Sequence, residues 1–237
     1  MGNIGLFTEA RAKWVVRELT KLIQQNAGGG GIGERRLYLP SDDGITFQNT
    51  GSTTIGAYQL CRVDSTVMQQ GFPIPTCKAV DTTFANTYLV NGPQAVEQND
   101  LGTAQKGPVV KFAYDTGSPA AKAVYGPKPS QGTASLGFPG LLHVIGIHDS
   151  TNKIAKGFLT PIVSLLGKAS GAISARSGTT PGSGSLEIWV NLSSTLTDAG
   201  FADLAIKSLS QTAGTSGAYI GASFRQGEWW FDFEDCA

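Results

Sequence analysis

The chain has 237 residues, with 18 Lys+Arg balanced by 18 Asp+Glu, and only 15% of it is charged against roughly 25% in an average soluble domain. Balanced charge supplies no field that would draw the molecule onto nucleic acid or an anionic membrane, and low charge favours association over solubility. A hydrophobic content of 41% excludes disorder, and no apolar run reaches the roughly 20 residues of a membrane span.

The first predicted element is an amphipathic helix between Thr8 and Asn26, within a segment 1–27. Thr8 is placed to cap it and Glu9 to complement its dipole. Ala12, Val15, Leu19 and Leu22 recur as an a/d seam that Ile23 widens, while Arg11, Lys13, Arg17, Glu18 and Lys21 occupy the remaining face. A lone helix of this length needs its apolar stripe buried, so these residues are candidates for anchoring or oligomerisation. Glycines at 28–31 and 33 then form a hinge, 28–33, that uncouples the helix from the rest of the chain.

From residue 34 onward the pattern is mainly β. Strands are predicted at Ile45–Phe47, Tyr58–Val63, Thr87–Val90, Val109–Tyr114, Leu141–Ile147, Leu186–Val190, Ala202–Leu209 and Ile220–Phe224. Asn49-Thr-Gly51, Asn91-Gly-Pro93, Gly107-Pro108, Gly126-Pro127, Pro139-Gly140 and Pro181-Gly182 read as turns, in the rhythm of antiparallel sandwiches or small barrels. Gly56-Ala57-Tyr58 is echoed by Gly217-Ala218-Tyr219, and both run into a strand, which suggests related β lobes. The Gly/Ser-rich stretch 167–184 reads as a linker between a β body, 34–166, and a C-terminal lobe, 185–237.

Chemistry-bearing residues are few. Gly28-x-Gly30-x-x-Gly33 has the spelling of a dinucleotide fingerprint but follows a helix and precedes a β run, the reverse of what pyrophosphate binding needs. His143 and His148 are five apart in a predicted strand, a poor geometry for a shared metal, so neither metal nor cofactor is expected. Cys61, Cys77 and Cys236 form no C-x-x-C pair and are expected to be free thiols of a chain made in a reducing cytosol, with a Cys61–Cys77 bridge as the alternative. In Glu228-Trp-Trp-Phe-Asp-Phe-Glu-Asp235, strand alternation turns Trp229, Phe231 and Phe233 inward and Trp230, Asp232 and Glu234 outward. Trp230 and Tyr125 are the candidate glycan contacts, and Asp232 with Glu234 the only carboxylate pair a hydrolase reading could use.

Several segments carry a resemblance: Tyr88-Leu-Val-Asn-Gly-Pro93, Gly102-Thr-Ala-Gln-Lys-Gly-Pro108, Gly126-Pro127 and the ending Arg225 to Cys236. They are similar to segments in structural proteins of tailed-bacteriophage virions of the head-fibre, decoration and tail-associated type. The resemblance runs over residues 40–237 and implies a non-enzymatic, β-rich virion component, commonly trimeric, made in the host cytoplasm. Its implied partners are capsid, neck or tail proteins and copies of itself, with a surface glycan as the alternative ligand and neither nucleic acid nor membrane among them.

Overall fold

The structure is a computed structural model that describes residues 44–69, 71–117, 119–192 and 195–235. The predicted N-terminal helix and hinge, with Ala12, Val15, Leu19, Leu22 and Ile23, lie outside the described residues. Within them the chain is mainly β, and its strands fall into three consecutive sheets.

The first sheet contains β1 (Gly44–Asn49), β2 (Leu60–Gln69), β3 (Phe72–Ala79), β4 (Tyr88–Val90) and β5 (Leu101–Gln105), in the order β4-β2-β3-β1-β5. β1 and β3 run parallel, and the other neighbours are antiparallel. Its outer strands then meet: Asn91 bridges Ala104, and the Gly92 amide donates to the Thr103 carbonyl at 2.9 Å. The sheet thereby closes into a ring around Phe47, Ile55, Cys61, Cys77, Val96 and Ala104. Two buried asparagines hold its loops. Asn49 Nδ2 donates to the carbonyls of Thr53 and Val96, and Asn91 Nδ2 to those of Ile55, Gly56 and Gln94.

The second sheet repeats this wiring with β6 (Val109–Ala113), β7 (Val124–Lys128), β8 (Gln131–Leu136), β9 (Leu142–Asp149) and β10 (Ile154–Leu159), in the order β6-β10-β9-β7-β8. β6 and β8, the counterparts of β1 and β3, share no ladder and are linked at their ends by a parallel bridge from Tyr114 to Ala134, so the ring stays half open. Ring 1 covers the exposed edge of β6. The Gln105 side-chain amide behaves as a missing strand, donating to the Lys111 carbonyl at 2.6 Å and accepting the Lys111 amide at 2.8 Å. Ala113 donates its amide to the Tyr58 carbonyl at 2.8 Å.

The third sheet holds β11 (Ser164–Ala169), β12 (Gly182–Leu192), β13 (Thr195–Asp198), β14 (Leu204–Ser208), β15 (Tyr219–Arg225) and β16 (Glu228–Asp235). Its order is β11-β15-β16-β14-β12-β13, and a β11–β12 ladder closes it with β13 left outside as an appended edge. β14 and β16 form the parallel pair. In this ring β14, β15 and β16 stand where β1, β2 and β3 stand in ring 1, and β11 and β12 stand for β4 and β5: the same closed sheet, circularly permuted.

Side-chain details match the permutation. Asn49 Oδ1 accepts the Gly51 amide at 3.0 Å, and the buried Ser208 Oγ accepts the Ser210 amide at 3.1 Å. The Ile55–Val96 bridge is matched by Gly214–Ile173. Gly102 lies against Val96 as Gly184 lies against Ile173, each too close for a β-carbon without a shift. Tyr58 and Gly217 occupy the same left-handed turn position, φ 58° and 80°. The sequence echo therefore marks equivalent turns, but the lettering Gly56-Ala-Tyr58 and Gly217-Ala-Tyr219 is two residues out of structural register.

Two expectations are corrected. The stretch 167–184 is no linker between lobes, because Gly167–Ala169 pair with Leu186–Ile188 inside ring 3. Its glycines serve close approach: a β-carbon on Gly182 would lie 1.9 Å from the Ser174 carbonyl oxygen. Gly126-Pro127 is no turn but the middle of β7, where a β-carbon on Gly126 would lie 2.0 Å from the Pro139 carbonyl oxygen.

One continuous apolar core joins rings 2 and 3 to the β3–β4 connection of ring 1. Phe84 from that connection packs on Phe201 and Trp229, ring centroids 5.2 and 6.1 Å away, and Thr82 accepts the Ala202 amide at 2.7 Å. Phe84→Ala should cost about 3 kcal/mol or more, read as a lower urea midpoint with Trp fluorescence reporting the loss of the aromatic junction. Gln105→Ala should cost roughly 1–3 kcal/mol by leaving both backbone groups of Lys111 unpaired, measured by urea unfolding and by faster exchange of the Lys111 amide.

Candidate functional site

Two outward sheet faces carry the features that a folded interior does not explain. On ring 2, β10 lies between β6 and β9, so Phe158 sits opposite Val109 on one side and His143 on the other. A bulge in β9 leaves Ile145 without a partner between Val144, opposite Gly157, and Gly146, opposite Lys156. Ile145 faces outward with His143, alternating with the buried Leu142 and Val144. Val109, Phe158, Ile145 and Ile147 are 44–46% exposed, which is unusual for large apolar side chains grouped on three adjacent strands.

The next row of this face is Lys111 opposite Lys156. Like charges directly across a ladder repel. Among the described residues neither ammonium forms an ion pair, the six bridges there being made by other side chains.

On ring 3, β11 lies between β12 and β15, so Lys168 faces Glu187 on one side and Tyr219 on the other. Trp189 meets Tyr219 edge to face at 5.6 Å, Lys168 Nζ lies 5.4 Å from the Trp189 ring centre, and the indole N–H donates to Glu187 at 2.8 Å. Beyond β12, Asp198 lies opposite Trp189 and Leu196 opposite Asn191. All four residues of β13 are exposed, and β13 pairs with β12 alone.

A polar cluster lies on ring 1. Arg62 donates to both oxygens of Asp81 and to Asp64, and Lys78 bridges Asp64 at 2.8 Å. The Lys78 hydrogen bond, with that from Arg62, holds the Asp64 carboxyl below its ordinary value. Burial pushes the Asp81 carboxyl up, but hydrogen bonds from Arg62 and the Thr83 amide outweigh it, and the net shift is down. This cluster braces the ring and is fully engaged within it.

The sequence-predicted ligand residues are scattered. Tyr125 is 1% exposed and packed against Phe112 and Tyr114, so its ring has no surface to offer a sugar; the alternation that would have turned it outward is absorbed by a strand buried over three successive residues. Trp230 is half-buried and donates its indole N–H to the Arg225 carbonyl at 3.0 Å, while Trp229 is buried and Phe231 packs on the core as expected. Asp232 is held by Arg225 and Ser223, and the Glu234 side chain lies outside the described residues. His143 and His148 are both exposed, and among the described residues no three His, Cys, Asp or Glu side chains converge as a metal site. Cys61 and Cys77 are free thiols deep in ring 1, where their mutual hydrogen bond and burial push the Cys61 thiol well up. Cys236 lies outside the described residues.

The sequence assigns no functional role to Trp189, Tyr219, Phe158 or Ile145. The signal that could have found the ring 2 face is apolar residues in both phases of Leu141 to Ile147, where one buried face needs only every second residue. Comparison of the chain with protein-family models, with curated proteins and with solved structures finds no match in any of the three.

The lowered Asp64 and Asp81 values mean that the ring 1 cluster stabilises the fold above the ordinary carboxylate range and loses that contribution as pH falls through the folded-state values. Arg62→Met should therefore lower the urea midpoint at pH 6 and flatten its decline below about pH 4, compared with wild type over the same range.

Proposed function

We propose that this protein is a non-enzymatic structural component of a tailed-bacteriophage virion, of the head-fibre, decoration or tail-associated type. It is made in the host cytoplasm, docks on the particle through its N-terminal segment and displays its β rings outward, with a trimer as the favoured state. The observation that carries this reading is the group of exposed apolar side chains on the outward face of ring 2, Val109, Ile145 and Phe158, with exposed Leu196 on ring 3, on a chain of low charge and zero formal net charge. Surfaces of this kind belong to proteins that are covered in use. The segment resemblance over residues 40–237 supplies the virion context, and the a/d seam of Val15, Leu19, Leu22 and Ile23 supplies the docking element.

A glycan-attachment role is the weaker reading, since it leaned on Tyr125, which is buried, and on Trp230, which is half-buried. Deleting residues 1–27 should abolish incorporation into particles assembled without the native protein, while circular dichroism and the urea midpoint of the remaining chain stay as in the full chain. A truncated protein that still enters particles would overturn the docking role.

A further inference from the structure

We propose that copies of this chain join head to tail, with the outward face of ring 2 on one copy seated on the β12–β13 face of ring 3 on the next. The two faces complement each other in chemistry and in spacing. On ring 2, an apolar row, Val109 beside Phe158, lies two residues along each strand from a cationic row, Lys111 beside Lys156. On ring 3, exposed Leu196 lies two residues from exposed Asp198 on one side of β13. Two residues of strand span roughly 7 Å, so both faces present one apolar and one charged position at the same separation. With Leu196 laid against Val109 and Phe158, the Asp198 carboxylate falls between the two ammonium groups.

Each half of the contact lacks something that the other supplies. Lys111 and Lys156 repel one another across the ladder and, among the described residues, meet no carboxylate. Asp198 caps the Gly200 amide through Oδ1 and forms no ion pair among the described residues. Glu187 adds a second carboxylate to the ring 3 face, already shared with the Trp189 indole and facing Lys168, whose cation is drawn over the Trp189 ring. Burying the lysine pair against an apolar partner without counter-charge would be costly, which makes an acidic face the fitting occupant.

Both faces belong to one chain, and both are exposed within it, so they are free to be satisfied between copies. β13 is suited to the role because it is an edge strand held by β12 alone. A contact between two different faces is heterologous, and it closes into a ring such as a trimer or runs on as a filament. Head-to-tail joining goes beyond the virion reading and does not depend on it, because it concerns only how copies meet.

The test uses the full-length chain in sedimentation equilibrium, with Lys111→Glu/Lys156→Glu, Asp198→Lys, and all three substitutions combined. Each of the first two should weaken self-association by about tenfold or more, and the combination should recover most of the loss because the charges are exchanged rather than removed. In an equal mixture of isotopically light and heavy protein, a zero-length carbodiimide cross-linker should join Lys111 or Lys156 of one copy to Asp198 of another. A monomeric wild type, variants that associate as tightly as wild type, or a combined variant no better than Lys111→Glu/Lys156→Glu would each overturn the proposal. Failure of particle incorporation with these cross-links intact would count against the virion reading alone.

Discussion

Every β-sheet must dispose of its two edges, and that requirement organises this molecule. An open edge is a row of unpaired N–H and C=O groups that costs energy when buried and invites aggregation when exposed. Rings 1 and 3 solve the problem internally, by the Asn91–Ala104 bridge and by the β11–β12 ladder. Ring 2 does not. Its β6 edge is finished by a glutamine side chain and a tyrosine carbonyl from ring 1, so ring 2 depends on its neighbour for backbone hydrogen bonding as well as for packing. Among the described residues the strand left outside the rings, β13, is short and exposed along its whole length.

One wiring, with a single parallel pair set in an otherwise antiparallel ring, serves three times in this chain. The closed rings 1 and 3 share side chains that the wiring needs wherever the chain is cut: a polar residue at the end of the first parallel strand, and a glycine under the β-branched residue of the bridged loop. A large apolar residue fills each interior from the same place, Phe47 in ring 1, Phe112 in ring 2 and Ile206 in ring 3, all nearly inaccessible. Different residues thus meet one geometric demand, which is why sequence similarity among the rings is confined to a few turn letters.

Legibility in the sequence depended on where apolar alternation is strong. β1, β4, β6, β9, β12 and β15 contain Ile, Leu, Val, Phe or Tyr in runs that announce strands, and the closing strand from Glu228 was readable down to the burial of Trp229. Two of the missed strands carry residues of low β-propensity. β5 is Leu-Gly-Thr-Ala-Gln, and β3 carries Pro73 and Pro75. Those prolines are tolerated because β1 reaches β3 only at Thr76 and Cys77, which leaves one side of residues 72–75 without a ladder to donate to. The exposed faces were less legible still. Alternation marks the outward phase within β9, but the grouping of Ile145 with Phe158 and Val109, and of Trp189 with Tyr219, is set by cross-strand register.

The order in which the strands emerge has a kinetic consequence. Each ring is completed by its last strand, β5 beside β1, β10 between β6 and β9, and β16 between β14 and β15. In ring 3, β11 and β12 emerge first, yet the sheet lies open until β16 inserts between β14 and β15. At roughly 5–20 residues per second, the nascent chain carries a half-built third sheet for some seconds. Trp229, which completes the aromatic junction with Phe84, arrives on that same last strand. The third ring and its junction with the other two are therefore finished in a single late step, so a polypeptide cut short before β16 lacks both the closed third ring and the aromatic junction.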